Sequence, residues 1–185
     1  MAIHFRFDPE KTVEATAFLL KLHGRSMNSL DLLKMLYMAD RIALQTMDQP
    51  ITGDQYISMD CGPVLSTVYN LIQGKPLDGI WPIWGKFVTP CNNQHVRLVD
   101  DPGVENLCDE EEDILKHIYY SFSQLDSTHI LDWSRDFPEW QKPHDLSSSL
   151  SVEKILEALG KTDHEIHSIR QEALREAYLD EVLNG

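Results

Sequence analysis

The stretch from Asn28 to about Met47 limits the possible folds more than any other part of the chain. Asn28 suits an N-cap, Asp31 falls in the first turn where it favours the helix dipole, and Leu32, Leu33, Leu36, Tyr37, Ala39 and Ala43 follow at helical spacing. These apolar positions run round much of the circumference instead of forming one stripe. Such a helix must be enclosed by other elements, so it is expected at the centre of the core. A chain of 185 residues with 42% hydrophobic content can supply that enclosure as one domain spanning 1–185.

The flanking sequence reads mainly as further helices. Asp8-Pro9 opens one that Gly24 stops, with Val13, Ala17 and Leu20 on its apolar face. Gln49-Pro50 ends the central helix, Ile51 to Asp54 reads as a turn, and Tyr56 to Asp60 as a short strand. Gly62-Pro63 breaks the chain, and a short helix is expected from Val64 to Gln73. Between residues 75 and 108 the β-prone runs Trp84–Thr89 and His95–Val99, separated by Pro90 to Gln94 with its Asn92-Asn93, predict a small antiparallel hairpin. Two strands alone are marginal, so the hairpin is expected to pack on the helices or pair with Tyr56 to Asp60.

Asp109 to Asp113 begins another helix, continuing through Ile114, Leu115, Ile118, Tyr119 and Phe122; acidic residues at that end favour the dipole. A short helix follows from Thr128 to Arg135, then a loop over 137–150. Ser151 caps the next helix, with Leu150 and Ile155 placed as a hydrophobic staple. Thr162 and Glu165 form a capping box for a last helix whose stripe is Ile166, Ile169, Ala173 and Ala177, with Leu174 nearby. Like charges four apart at Glu172/Glu176 and Glu176/Asp180 weaken that helix in isolation, so it needs packing or a partner. The expected fold is mainly α, a compact multi-helix domain with a small antiparallel sheet and a winged-helix-like layout around the Gly62-Pro63 break.

Charge narrows the function classes. The net charge is −14, and it is uneven: residues 1–100 carry 9 Lys/Arg against 10 Asp/Glu, residues 101–185 carry 7 against 20. Such a surface repels phosphate backbones and anionic lipid, and speeds encounter with basic partners. Val64 to Gln73, where a recognition helix would sit, holds no Arg or Lys, so nucleic-acid binding by this chain alone is not expected. No apolar run reaches the roughly 18 residues of a membrane span. Met1 to Phe7 does not read as a signal peptide. Three widely spaced cysteines, Cys61, Cys91 and Cys108, fit a reducing cytoplasm better than a disulfide framework.

Motifs for chemistry fail on inspection. Gly74-Lys75 is followed by Pro76 and has no glycine upstream where a phosphate loop needs one. His164-Glu165-Ile166-His167 is one residue short of the zinc-protease helix motif, and Cys91 and His95 lack a second pair. No nucleophile motif accompanies the histidines and carboxylates. A non-enzyme without cofactor or metal is therefore expected.

Leu32-Leu33-Lys34-Met35-Leu36-Tyr37-Met38-Ala39-Asp40-Arg41 resembles the "KLLYLAD" helix of the Panacea-domain family, also described as SocA-like antitoxins or phage-associated proteins. Pro50-Ile51-Thr52-Gly53-Asp54-Gln55-Tyr56, Asp60-Cys61-Gly62-Pro63-Val64 and Val68-Tyr69 are similar to its "P-I-T-G-x-x-Y … Y-G-P-V … V-Y" pattern. Thr128-His129 and Pro138-Glu139-Trp140 are similar to its "T-H … P-W" element. Cys61 stands where the family usually has an aromatic residue, and Glu139 interrupts the last element. The resemblance implies an antitoxin that neutralises a cognate toxin by direct contact, in some relatives as an adaptor delivering the toxin to a protease.

The candidate partner-binding residues are Asp40, Arg41, Tyr56, Tyr69, His129 and Trp140. Asp40 and Arg41 read either as a recognition pair or as an internal ion pair or hydrogen-bond anchor. Tyr37, Tyr56 and Tyr69 read as core aromatics with bonded hydroxyls or as contacts. Gly62 and Pro63 set a turn, and His129 and Trp140 are surface candidates. A transcription-linked prophage regulator and a metal-dependent enzyme are the competing functions.

Overall fold

Caps and chain breaks act where the spacing places them. Asp8 accepts a hydrogen bond from the Lys11 amide at 2.9 Å and opens α1 (Pro9–Leu22), which ends before Gly24. After β1 (Ser26–Asn28), the Asn28 side chain accepts from the Leu30 amide at 2.9 Å and starts α2 (Ser29–Thr46). There follow β2 (Tyr56–Met59), β3 (Gly62–Leu65), α3 (Ser66–Ile72), α4 (Trp81–Phe87), β4 (Val88–Cys91) and β5 (His95–Leu98). The chain continues through α5 (Asp109–Phe122), α6 (Ser127–Arg135), β6 (Ser147–Leu150), α7 (Val152–Ala158) and α8 (Asp163–Asn184). The computed structural model describes residues 1–91 and 94–184. Asn92 and Asn93, placed by the sequence between the hairpin strands, lie outside them.

The predicted enclosure of α2 is present. It touches α1, α3, α5, α6 and α7, together with β1 and β3. Leu32, Leu36, Tyr37, Ala39, Ala43 and Leu44 on it are at most 1% exposed. One cluster of buried apolar side chains runs from Ile3 to Ala173 around this axis. The fold is mainly α, and the described residues form two three-stranded antiparallel sheets ordered β1-β5-β4 and β3-β2-β6.

Four local expectations are corrected. Gly62 to Leu65 is a buried strand, and the helix that follows begins only at Ser66. Pairing with β2, Tyr56 opposite Leu65, captures the segment, and Pro63 sits on an edge strand where its missing N–H does no harm. Trp84 to Phe87 is the end of α4, not a strand. Pro82 suits the first helical turn, and helical geometry carries Trp84 into the core at 1% exposure. Of the two supports expected for the hairpin β4–β5, packing on the helices is the one present, against α1 and α4, and the hairpin also pairs with β1, a strand of three residues too short to read from sequence. The loop expected over 137–150 ends in β6, whose three serines pair with β2 through the backbone. Ala177, assigned to the buried stripe of the last helix, is exposed, because the covered face of α8 ends at Ala173.

Candidate functional site

Three of the six residues singled out from sequence, Asp40, Arg41 and Tyr56, meet at two buried carboxylates, Asp40 and Glu139. Asp40 is wholly buried on α2 and accepts four hydrogen bonds: from the Ile51 and Thr52 amides at 2.9 Å each, from Thr52 Oγ1 at 2.5 Å and from the Tyr56 hydroxyl at 3.1 Å. Burial pushes its carboxyl up to about 6, against the bonds from Thr52 and Tyr56 that pull it down. Asp40 thereby fastens the turn after α2 to the helix it leaves.

The same turn is held from outside. Gly53 adopts φ +66° with its Cα against the backbone of Arg6, so close that a Cβ would lie 2.0 Å from the Arg6 carbonyl oxygen. Asp54 then accepts from the Thr67 and Val68 amides at 3.0 Å each, capping α3 from across the loop. Burial raises the Asp54 carboxyl, and these amides oppose the rise. The segment Ile51-Thr52-Gly53-Asp54 is thus a backbone fastening between α2, the N-terminal residues and α3.

Glu139 is the second carboxylate. Its Oε1 accepts from the Tyr37 hydroxyl at 2.8 Å and from Arg41 Nε at 2.7 Å, and its Oε2 accepts from Arg41 Nη2 at 3.2 Å. Glu139 has a fully covered side chain, while that of Arg41 is 15% exposed. The guanidinium also lies over the Phe137 ring, 4.7 Å from its centroid. Tyr37 makes an edge contact with Tyr56 at 5.8 Å, linking the two carboxylate centres. Burial, then the charge of Glu139, drives the Tyr37 hydroxyl well above its ordinary range.

A third group holds the turn between β2 and β3. Trp140 Nε1 donates to the Met59 carbonyl at 3.0 Å, Arg135 Nε to that of Asp60 at 2.9 Å, Ser134 Oγ to that of Cys61 at 3.3 Å, and Lys34 Nζ to that of Pro63 at 2.9 Å. Lys34 is 1% exposed, and burial lowers its pKa to about 8. Gly62 leaves room for this meeting: a Cβ there would lie 2.5 Å from Ser134 Oγ and 2.9 Å from Lys34 Nζ.

The six candidate residues therefore occupy different places. Asp40 and Tyr56 are bonded to each other in the interior, and Arg41 is paired to Glu139 just beneath the surface. Trp140 is half-buried beneath the β2–β3 turn. Tyr69 is half-buried in a groove of about 350 Å³ that Leu33, Ile72 and Cys91 also line. His129 is exposed at the start of α6, where Asp126 accepts its amide at 3.0 Å. Sequence reading missed Lys34, Asp54, Ser134, Arg135 and the centring role of Glu139. A usable signal exists: Lys34, Tyr37 and Arg41 recur at the spacing of one helix face on an otherwise apolar helix.

Among the described residues, no three His, Cys, Asp or Glu side chains converge as a metal-binding group. No helix among them is long and apolar enough to cross a membrane. Exposed carboxylates concentrate on the first turns of α5, at Asp109, Glu110 and Asp113, and along α8, at Glu165, Glu172, Glu176 and Glu181.

Comparison with curated proteins and with solved structures found no match to this chain. The profile of the family described as antitoxin SocA-like, Panacea domain, matches residues 32–141, more than half of the sequence. That span opens on α2, runs through the fastened turn and the β2–β3 hairpin, and closes on Glu139, Trp140 and Gln141. The chain belongs to the SocA-like antitoxin, Panacea-domain family.

Proposed function

We propose that the protein is an antitoxin that neutralises a cognate toxin by direct protein–protein contact. The observation that carries this reading is the family match over residues 32–141. The disposition of charge supports it. The buried carboxylates Asp40 and Glu139 are engaged by internal donors, while Asp109, Glu110 and Asp113 of α5 and Glu165, Glu172, Glu176 and Glu181 of α8 face outward. Outward carboxylates of one sign raise the encounter rate with a basic partner and set its orientation. The partner is accordingly a basic toxin, met in the cytoplasm, where the three free cysteines are at home.

In this reading Asp40, Arg41 and Tyr56 act by holding the frame, and Tyr69, His129 and Trp140 lie close enough to the surface to take part in contact. Co-expression with the toxic protein encoded beside this chain tests it. Growth is expected to be restored, and the toxin to copurify at low salt. A toxin that stays lethal and unbound in the presence of the chain overturns the proposal. The toxin level separates two modes of neutralisation: it holds steady in a stoichiometric complex and falls when the chain delivers the toxin to a protease.

A further inference from the structure

α8 is packed over its first half and bare over its second. Ile166, Ile169 and Ala173 are buried against the core. Beyond them Leu174 is 39% exposed, Tyr178 66%, Leu179 45%, Val182 60% and Leu183 78%. At about 100° per residue, Leu174, Tyr178 and Val182 fall on one line away from the buried face, with Leu179 and Leu183 on the adjoining flank. An exposed run of large apolar side chains on a helix marks a surface that another element covers.

The rim says what kind of element. Glu172, Glu176, Asp180 and Glu181 border the strip, and the exposed Arg175 falls within it, between Val182 and Leu179. The cations nearby are already engaged: Arg175 pairs with Glu172 at 3.8 Å, Arg6 with Asp180 at 2.9 Å, and Arg170 with Glu153 at 3.3 Å. A second copy would bring the same carboxylates against these, on a chain whose net charge is already −14. Anionic lipid meets the same repulsion. An incoming helix with apolar residues at i, i+4 and i+8 and basic flanks answers both features, by the helix-against-helix mode in which apolar anchors give affinity and charges give register.

We infer that the outer face of α8, centred on Leu174, Tyr178 and Val182, is the docking surface for an amphipathic helix with basic flanks. This rests on the antitoxin reading for its biological partner, a helix of the toxin, but its chemistry is testable without one.

The probe is a fluorescent amphipathic peptide of Leu and Lys, about 18 residues long, with a control in which Glu replaces every Lys. Anisotropy against the full chain is expected to show binding of the Lys peptide, about tenfold weaker on going from about 0.05 to 0.5 M salt. The Leu174→Gln/Tyr178→Gln/Val182→Gln variant is expected to bind at least about tenfold more weakly. Its circular dichroism stays that of the wild type, since Tyr178 and Val182 are mostly in water and Leu174 lies off the buried face of the helix. Glu172→Lys/Glu181→Lys is expected to weaken binding further at low salt than at high salt.

Equal binding by the triple variant, or equal binding of the Glu peptide, overturns the assignment. So does a dimer in solution that the triple variant dissolves, which would give the strip to a second copy. The two readings fail separately. A triple variant that still rescues growth from the toxin sinks this site and spares the antitoxin role. A chain that takes the peptide at α8 yet rescues nothing sinks the role and spares the site.

Discussion

Asp40→Asn and Asp40→Ala, compared over a pH series, test the central fastening. Four donors converge on the wild-type carboxylate, two of them the backbone amides of Ile51 and Thr52. Alanine strands those amides in the interior. At roughly 1–3 kcal/mol for each stranded donor, and with the hydroxyls free to rotate elsewhere, the cost is about 4 kcal/mol at neutral pH. Asparagine still offers an oxygen to both amides and its NH2 to the hydroxyl oxygens, so it costs about 1 kcal/mol or less there.

The pH dependence carries the sharper number. The folded carboxyl sits at about 6, above its ordinary 3.8, so the folded form holds this proton more tightly than the unfolded one. Stability from this group is fully present below about pH 4 and declines as pH rises through about 6, a loss of about 3 kcal/mol. The amide introduced by Asp40→Asn does not titrate. Urea unfolding at intervals from pH 4 to 7 should therefore show the wild type gaining on Asp40→Asn by about 2 kcal/mol as the solution is acidified, most of that limit. Asp54, raised in the same direction, is present in both proteins and cancels to first order. A difference that stays flat, or one that widens toward pH 7, would refute the reasoning, as would equal costs for the alanine and asparagine variants.

Two further outcomes follow from contacts already described. Gly53→Ala brings a Cβ within 2.0 Å of a backbone oxygen at φ +66°, whereas Gly79→Ala, at φ +76°, meets nothing within 4 Å; thermal melts should show the first costing about 2 kcal/mol or more beyond the second. Glu139→Ala leaves Arg41 uncompensated beneath the surface and should cost about 4 kcal/mol, while adding Arg41→Ala should cost at least about 1 kcal/mol less than the sum of the single changes. Strict additivity in that cycle would show that the pair is not coupled.

The sequence and the structure agree where local chemistry decides and part where pairing over distance decides. α2 was legible because its apolar residues surround it, and α1 and α7 because Asp8 and Ser151 cap them as written. β6 was not legible: Ser147, Ser148 and Ser149 have no apolar alternation, and only the backbone of β2 makes them a strand. Trp84 and Phe87 carry high strand propensity, yet burial of Trp84 favours a helical turn. The site shows the same division. Asp40 and Arg41 stand out as charges on an apolar helix, but their partners Tyr56 and Glu139 lie 16 and 98 residues away, at separations no spacing rule spans. Glu139 even reads as an interruption of its motif, because the bonds that justify it come from α2.

The hairpin between β2 and β3 is gripped by its main chain. Trp140, Arg135, Ser134 and Lys34 all reach carbonyl oxygens, and none of these bonds consults the side chain carried by the residue it holds. Replacement at Asp60 or Cys61 leaves the grip untouched, whereas Gly62, hemmed in between Ser134 and Lys34, has no such latitude. A side chain other than cysteine at position 61 would leave the bond from Ser134 to its carbonyl in place. Main-chain bonding thus holds residues 60 and 61 whatever side chains they bear, whereas a Cβ at position 62 would collide with the groups that do the holding.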